Sequence, residues 1–362
     1  MGLSVIQWAT GNVGKQAILG VLAHPDLELV GCWVHSAEKS GRDVGEICGI
    51  DPVGVRATTD ADALLASDAD CVIYTPLLAD PAEVRRIVES GKNVVTPLGW
   101  FFPAADEATA AMETACTGAG VTLHGTGIHP GGITERFPLM ISNLSRDITH
   151  VRAEEFSDIR SYDAEFIVRE VMLFGKTPEE ASNSAMLDLL GAGFGQSIDM
   201  IAHALGLTLD AEQKRSHEMA VATAPIEAPC GILDAGTVAG QRFTWQGLVR
   251  GEPVITARVN WLMGEDDLEP APGSGGAEPW NLGSGERFEV EVTGDPSVKL
   301  TFEGLHPHDI ESGLKQNPGL TATAMHCVNA VPYVCAADPG IKTYLDLPFT
   351  TGRADLRLIR GA

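Results

Sequence analysis

The sequence has few basic residues for its acidic content. Its 362 residues include 25 Lys and Arg against 49 Asp and Glu, which gives a formal net charge of −24 at pH 7. Because phosphate backbones are bound by clustered cations, nucleic acid is a poor partner for this chain. Hydrophobic residues make up 44%, which excludes a disordered chain, since disorder combines high net charge with low hydrophobicity. The length suits about two domains.

Long hydrophobic runs and regular cysteine motifs are also missing. The opening MGLSVIQWATGNVG has no basic start and is interrupted by polar residues, so we expect neither a signal peptide nor a membrane span. Seven cysteines lie scattered without CxxC spacing, which favours buried free thiols. His306 and His308 flank a proline, but without a third distant ligand we expect a turn and no metal site. A cytoplasmic protein is the simplest expectation.

The first part of the chain alternates apolar strands with helices. LSVIQW, LELVGCWVHS, ADCVIYTP, KNVVTPLG and GVTLHGTG read as strands, and helical segments such as PAEVRRIVES separate them. Repeated strand–helix units predict an α/β fold, with a doubly wound parallel sheet of the Rossmann type. We assign this NAD(P)-binding domain to residues 1–147.

The pattern changes near residue 148. A polar strand and helices at about 164–174, 178–190 and 195–206 precede a series of alternating strands from about residue 216. This predicts a substrate-binding α+β domain with an open mixed or antiparallel sheet over 148–316. The Gly- and Pro-rich segment 264–286 should be a long exposed loop, either structural or mobile, or else a lid. Residues 317–362 should form a buried helix and a tail that pack back on the Rossmann domain.

A glycine turn follows the first strand and opens the first helix. The segment Ala9-Thr10-Gly11-Asn12-Val13-Gly14 occupies the place of the dinucleotide-binding fingerprint, although Ala9 replaces its first glycine. Gly11 would let the backbone approach a pyrophosphate, and Gly14 would let helix and strand pack closely. The residues expected to bind the pyrophosphate are Thr10, Gly11, Asn12, Val13 and Gly14.

The end of the second strand bears on the choice of cofactor. NAD sites usually carry an acidic residue there to bind the ribose hydroxyls, but this chain has His35, followed by Ser36, Lys39 and Arg42. A hydroxyl group with cations suits a 2′-phosphate, so we predict NADP(H), with NAD(H) as the less favoured alternative. An ordinary solvated loop would leave the preference open.

Later loops at the carboxyl ends of strands should line the same crevice. They add Thr75, Pro76 and Leu77, and then Thr96, Pro97 and Gly99, near the ribose and nicotinamide. His129, in the turn GTGIHPGG, is a candidate for a nicotinamide or substrate contact or for a structural role.

These pieces resemble the dihydrodipicolinate reductase-like superfamily, and within it the branch of 2,4-diaminopentanoate dehydrogenase and the native amine dehydrogenases. The similar stretches are ATGNVGKQ, NVVTPLGWFFP, GTGIHPGG and HCVNAVPYV, the last of which makes Asn329 a cofactor-site candidate. The resemblance implies a Rossmann domain, a mixed α+β domain, NAD(P)H as hydride donor and a homodimer formed through the second domain.

The chain departs from the resemblance at two positions. The paired-histidine and lysine motif of dihydrodipicolinate reductases is replaced by AEEFSDIR at residues 153–160. The glutamate that the amine dehydrogenases carry in the loop over 96–103 is replaced as well. A carboxylate for proton transfer would therefore have to come from elsewhere.

The polar strand over about 149–158 offers that carboxylate. Strand alternation should place Glu154, Phe156 and Asp158 on one face and Glu155 and Ser157 on the other. Glu154 and Asp158 are the first candidates, with Glu155 if the register differs by one, and a solvated acidic face is the alternative. The aromatics Trp100, Phe101 and Phe102 could form an apolar wall, and Tyr162 could donate a proton.

Together these features predict an NADPH-dependent enzyme that acts on amine or C=N groups. The expected reaction is reductive amination of a small apolar ketone or aldehyde with ammonia, or the reverse deamination. Two alternatives remain: a carbonyl reductase that needs no ammonia, and a non-catalytic NADPH-binding sensor.

Overall fold

The computed structural model describes residues 2–162, 164–183, 185–275, 278–313 and 317–359. The chain forms two compact units, one comprising Met1–Gly132 with Leu320–Ala362 and the other Ile133–Gly319. The structure thus divides the chain after residues 132 and 319, whereas the sequence analysis divided it after residues 147 and 316.

The first unit opens with alternating strands and helices. Local capping explains where several helices begin: Asp80 and Asp106 each accept hydrogen bonds from backbone N–H groups in the first turn that follows. The elements are β1 (Leu3–Trp8), α1 (Asn12–Ala23), β2 (Leu27–Trp33), α2 (Val44–Cys48), β3 (Ala57–Thr58), α3 (Ala61–Leu65), β4 (Cys71–Tyr74), α4 (Pro81–Glu89), β5 (Asn93–Thr96), α5 (Glu107–Ala119) and β6 (Thr122–Gly125).

The second unit is built on a mixed sheet. Its elements are α6 (Phe137–Ser142), β7 (Arg146–Asp158), α7 (Pro178–Ser182), α8 (Met186–Leu205), β8 (Lys214–Ala222), β9 (Ile226–Ala228), β10 (Gly231–Leu233), β11 (Val238–Val249), β12 (Glu252–Leu262), β13 (Leu268–Pro270), β14 (Arg287–Asp295) and β15 (Val298–Phe302). The strand order is β13-β8-β11-β12-β7-β14-β15, and within it β12 and β7 are parallel while the other neighbours are antiparallel.

Helix α8 differs from the prediction. Two helices were expected over 178–190 and 195–206, but the structure has the short α7 and then one helix of 20 residues. Glycines at 191, 193 and 195 fall between the two expected helices, but they do not break α8. Instead, Gly191 lets α8 approach the sheet, because a Cβ there would lie 2.7 Å from the Trp245 indole nitrogen. A π-helical turn over Ile167–Val171 replaces the helix expected at 164–174.

The end of the chain completes the first unit. Helix α9 (Pro318–Cys335) places Ala324, Cys327 and Val328 in the same hydrophobic core as α1. After it, β16 (Gly340–Lys342) pairs in parallel with β6, and α10 spans Leu356–Ile359. The resulting seven-stranded sheet, β16-β6-β5-β4-β1-β2-β3, is parallel throughout. The predicted fold class is confirmed, although no pattern in the sequence indicated β16.

The segment 264–286 is not the wholly exposed loop that its composition suggested. It contains β13, which pairs with β8. Trp280 and Leu282 are 9% and 3% exposed, and they pack against Ala220 and Leu262 on the sheet. The Arg242 guanidinium lies 4.7 Å from the Trp280 ring and also donates a hydrogen bond to the carbonyl of Pro279. These contacts attach the segment to the sheet.

No helix in the described ranges is both long enough and apolar enough to cross a membrane. Of the seven cysteines, all unpaired, five are buried and two are half-buried. Burial raises the pKa of the Cys32 and Cys116 thiols to about 12. Such thiols stay protonated and are poor nucleophiles.

Candidate cofactor and active site

The glycine turn between β1 and α1 has the geometry of an anion-binding site. Ala9, at the position of the first fingerprint glycine, has a positive φ of 77°. Gly11 caps α1 with φ −69° and ψ −172°, without a side-chain cap, and the first turn of α1 holds no acidic residue. A Cβ on Gly11 would meet nothing within 4 Å. The N–H groups at this helix start therefore face space that a pyrophosphate could fill.

Close packing and buried hydrogen bonds hold the turn in place. A Cβ on Gly14 would lie 2.3 Å from the Ala9 carbonyl oxygen, so only glycine fits there. The buried Gln7 amide donates to Thr75 Oγ1 at 2.7 Å and to the Ala9 carbonyl at 2.9 Å. Thr75, predicted to contact cofactor, thus braces the turn from the end of β4.

Lys39 reaches the glycine turn from the loop after β2. Its Nζ lies 3.1 Å from Thr10 Oγ1 and 3.4 Å from the Thr10 carbonyl oxygen, and donates to both. His35 is exposed and packs edge-on against Trp33, which stacks on Trp8. Ser36 is half-buried in the same loop. The structure thus brings together Thr10 and Lys39, two of the predicted cofactor residues.

The other predicted loops follow β4, β5 and β6. Pro76 is half-buried and Leu77 is 77% exposed. Thr96 is fully buried, and its Oγ1 accepts a hydrogen bond from Leu98 N; Pro97 and Gly99 come next, both half-buried. His129 lies half-buried in the turn after β6. As β4, β5 and β6 are neighbouring parallel strands, these loops share one edge of the sheet.

Asn329 lies elsewhere in the first unit. Thr321 of α9 contacts Gln16 of α1, and Met325 meets Gly20 one turn further on, so the two helices run side by side in the same direction. Asn329 is therefore level with the end of α1 farthest from the glycine turn. The motif that contains Asn329 packs α9 onto the core, and the structure does not bring this residue to the turn.

Glu154 belongs to an ionic network on one face of the second unit's sheet. It is 3% exposed, forms an ion pair with Arg152, and accepts a hydrogen bond from Asn260 Nδ2 at 2.9 Å. Arg258 Nη1 lies 3.6 Å away. The face borders a cavity of about 490 Å³. These partners explain the Glu154 carboxylate as part of a charge network within the sheet.

Glu155 lies on the opposite face, in a different kind of environment. Ser157 Oγ donates to Glu155 Oε1 at 2.6 Å, and the Trp261 indole N–H donates to the same oxygen at 3.0 Å. Ser157 Oγ also lies 2.9 Å from His306 Nε2. Burial raises the pKa of Glu155, and the hydrogen bonds from Ser157 and Trp261 oppose that rise. The predicted alternation of Glu154 and Glu155 is thus observed, and the two faces differ in their chemistry.

A second carboxyl group lies beside the hydrogen-bonded cluster formed by Glu155, Ser157, Trp261 and His306. Glu286, just before β14, accepts a hydrogen bond from the Asp158 backbone N–H at 2.7 Å. Burial, together with the negative charges of Asp158 and Glu155, raises the pKa of Glu286 to about 7. The Asp158 carboxylate binds Arg160, with Nη2 at 2.6 Å. Asp158 thus has a structural partner, while Glu286 titrates near neutral pH.

The aromatics proposed as a substrate wall have core contacts of their own. Phe101 is 2% exposed, and Trp100, with φ 56°, packs against the core of the first unit. Tyr162 packs against the core of the second unit.

The two histidines of the HPHD segment have different surroundings. His306 contacts Ser157, whereas His308 is almost fully exposed and lies 3.5 Å from the Asp309 carboxylate. Within the described ranges no three His, Cys, Asp or Glu side chains are grouped to hold a metal ion.

A parallel α/β unit with a glycine turn, joined to a mixed-sheet unit with a carboxyl cluster, defines the architecture of a two-domain dinucleotide-dependent oxidoreductase. Two family models match the chain. Residues 133–357 match the 2,4-diaminopentanoate dehydrogenase C-terminal domain, and residues 5–97 match the dihydrodipicolinate reductase N-terminus. The chain belongs to the 2,4-diaminopentanoate dehydrogenase family, within the dihydrodipicolinate reductase-like superfamily. The predicted resemblance and the predicted class, a dehydrogenase, are confirmed.

Individual relatives agree with this placement. An amine dehydrogenase of Streptomyces virginiae is 32% identical over 363 residues, covering 96% of each chain. The 2,4-diaminopentanoate dehydrogenase of Acetoanaerobium sticklandii is 27% identical over 74% of this chain and 69% of its own. The solved amine dehydrogenase of Mycobacterium smegmatis has a similar fold, with a TM-score of 0.74 at 21% identity over 98% of both chains.

Proposed function

We propose that this protein catalyses NADPH-dependent reductive amination of a small apolar ketone or aldehyde, or the reverse deamination of the amine. The observation that carries the proposal is the similarity to the Streptomyces amine dehydrogenase along 96% of both chains. Overall, one carbonyl compound, one ammonium ion, one NADPH and one proton give one protonated amine, one NADP⁺ and one water.

The cofactor residues are those of the glycine turn and the loop after β2. The open space at Gly11 and the uncapped start of α1 fit a pyrophosphate. Lys39, held 3.1 Å from Thr10 Oγ1, places a cation where it can bind a 2′-phosphate, which favours NADP(H) over NAD(H). When bound, this cofactor supplies the hydride. His35, Ser36, Thr75, Pro76, Leu77, Thr96, Pro97, Gly99 and His129 remain candidates for its other contacts.

Glu155 is the residue we assign to proton transfer, with Glu286 as its neighbour. A partly desolvated carboxylate can take a proton from ammonium and return it to the hydroxyl group that leaves as water. The raised pKa of Glu155, and that of Glu286 at about 7, bring both groups closer to working pH than an ordinary glutamate. Glu154, ion-paired with Arg152, is less suited to this role.

The surroundings of Glu155 favour an apolar substrate. The Trp261 indole and the Phe288 ring lie at the cluster. The nearby Arg160 is already bound to Asp158, so it is poorly placed to bind a substrate carboxylate.

The test is NADPH oxidation at 340 nm against small aldehydes and ketones, with and without high ammonium at alkaline pH. We expect turnover that requires ammonium. Equal turnover without ammonium would identify a carbonyl reductase, the alternative favoured by the missing glutamate in the loop 96–103. Tight NADPH binding without turnover would identify a sensor.

The same proposal includes a homodimer in the cytoplasm, with ammonia as co-substrate. Light scattering after size-exclusion chromatography is expected to give twice the 38.3 kDa chain mass. A mass equal to that of one chain would contradict the homodimer but not the proposed reaction.

A further inference from the structure

We propose that Ser157 and His306 are positioning residues that hold the Glu155 carboxylate in one orientation for proton transfer. The role in proton transfer rests on the proposed function, whereas the hydrogen bonds among these residues do not depend on it. Three side chains form a hydrogen-bonded chain across separate segments: Glu155 and Ser157 on β7, and His306 in the segment after β15.

The direction of the hydrogen bonds follows from their donors. A serine hydroxyl has one proton, and the 2.6 Å distance to Glu155 Oε1 is typical of a bond from a hydroxyl to a carboxylate. The 2.9 Å contact between Ser157 Oγ and His306 Nε2 must then use a proton on Nε2. The chain therefore runs from His306 to Ser157 to Glu155.

His306 is suited to act as a fixed neutral donor. Its ring stacks on Phe288, with centroids 4.8 Å apart. Burial lowers the pKa of His306 to about 4, so the ring is neutral at working pH. With the proton on Nε2, the other ring nitrogen, Nδ1, is an acceptor, and no hydrogen-bond partner for this buried atom occurs among the described residues. The tautomer is thus set by Ser157.

Two further carboxyl groups, those of Glu286 and Asp158, lie near Glu155. Glu286, before β14, repels the Glu155 charge, and Asp158 at the end of β7 is balanced by Arg160. From β12, Trp261 contributes the second hydrogen bond to Oε1. Ser157 and Trp261 are therefore two donors that favour the ionised form of Glu155 against its burial.

Ser157 and Trp261 also fix the orientation of Glu155, because two hydrogen-bond donors on one oxygen restrict the rotation of the carboxylate. A general base must lie within hydrogen-bond reach of the proton that it abstracts. Loss of Ser157 is therefore expected to change both the ionisation and the direction of Glu155.

The test uses the Trp261 indole N–H as a reporter, since it donates directly to Glu155. The full-length protein, labelled with ¹⁵N in its six tryptophans, is titrated without substrate, and the Trp261 signal is assigned with Trp261→Phe. We expect its titration midpoint to rise by about one to two pH units in Ser157→Ala, the equivalent of one hydrogen bond to a charged group. Ser157→Thr should restore the midpoint.

Matched variants separate this effect from general disturbance. Ser142→Ala removes a hydroxyl that donates only to a backbone carbonyl within α6, and it should leave the midpoint unchanged. His306→Phe is expected to raise the midpoint by a smaller amount, because Ser157 can still donate to Glu155. His308→Phe, at an exposed position, is expected to leave it unchanged. Ser157→Cys replaces the hydroxyl with a thiol, which is a much weaker hydrogen-bond donor, and serves if Ser157→Ala does not fold.

An unchanged midpoint in Ser157→Ala, or in Ser157→Cys in its place, would overturn the proposal. Equal midpoints in His306→Phe and His308→Phe would remove His306 from it. In turnover, Ser157→Ala should move the acid limb of the kcat/KM profile by the same amount as the NMR midpoint. A shifted midpoint with no ammonium-dependent turnover would leave the hydrogen-bond chain intact and reject the proposed function instead.

Discussion

Gly11→Ala should weaken cofactor binding while leaving the fold intact. The backbone of Gly11, with φ −69° and ψ −172°, is extended and open to any residue. An added Cβ would meet no protein atom within 4 Å. The methyl group would instead occupy the space that we assign to the pyrophosphate.

The expected magnitudes differ sharply between stability and binding. Alanine is a poorer helix cap than glycine, so the free energy of unfolding should fall by less than about 1 kcal/mol. Displacing the pyrophosphate from one charge-assisted hydrogen bond should cost about 1.5–3 kcal/mol, a roughly ten- to hundredfold rise in Kd. Calorimetric titration with NADPH and urea unfolding measure the two quantities.

Two further glycines provide controls. Gly14→Ala should lose stability by about 1–3 kcal/mol, because its Cβ would lie 2.3 Å from the Ala9 carbonyl oxygen. Gly118→Ala, within α5 and also free of contacts, should gain about 0.5–1 kcal/mol and bind NADPH normally. An unchanged Kd in Gly11→Ala would refute the placement of the cofactor.

Three other substitutions test separate parts of the account. Lys39→Ala should raise the Kd for NADPH about tenfold or more with little effect on NADH, because it removes the cation near the 2′-phosphate; equal effects on both cofactors would contradict the NADP assignment. Trp280→Ala should lower the free energy of unfolding, measured in urea, by about 3 kcal/mol, because the ring is buried and contacts Arg242. A loss under about 1 kcal/mol would mean that the segment 264–286 is not attached to the sheet as described. Glu286→Gln should match the parent protein in stability below about pH 4.5 and exceed it above pH 7, because the raised pKa of Glu286 makes its ionisation costly in the folded state and the parent loses stability as pH rises through about 7. With solvent screening, the gain in the free energy of unfolding is on the order of 1 kcal/mol. Equal stability of the two proteins at pH 8 would contradict the burial of this carboxyl group.

Local patterns in the sequence predicted the first unit well. The glycine turn and the buried strands each depend on residues close together in the chain. Strand β16 has only three residues and pairs with β6 across more than 200 positions, so no local pattern marks it. Its position depends on pairing with β6 and on the hydrogen bond from Ile341 N to the Glu113 carboxylate in α5.

In the second unit, alternation correctly separated Glu154 from Glu155, but it ranked Glu154 and Asp158 ahead of Glu155, the residue that we propose for proton transfer. That ranking depends on groups brought in from other segments: Arg152 and Asn260 around Glu154, and Trp261 and His306 around Glu155. Glu286 was missed for the same reason, since its raised pKa arises from burial beside Asp158 and Glu155.

Two segments that contain glycine differ from the prediction. In α8, Gly191 permits close packing on Trp245 and does not interrupt the helix. In the segment 264–286, polar and glycine residues suggested exposure, but Trp280 and Leu282 anchor the segment to the sheet. A glycine marks either a turn or a close approach, and the sequence alone does not distinguish the two.

In the reaction that we propose, ammonia nitrogen is transferred to the substrate and NADPH is the reductant. The most direct measurement supplies ¹⁵N-ammonium, NADPH and an accepted ketone, and identifies the product by mass spectrometry. We expect one ¹⁵N-labelled amine for each NADPH oxidised, and at least a hundredfold less product with Glu155→Gln, since a lost general base typically costs about 10²–10⁴ in rate. An alcohol without ¹⁵N, formed at the same rate as NADPH is oxidised, would contradict the account.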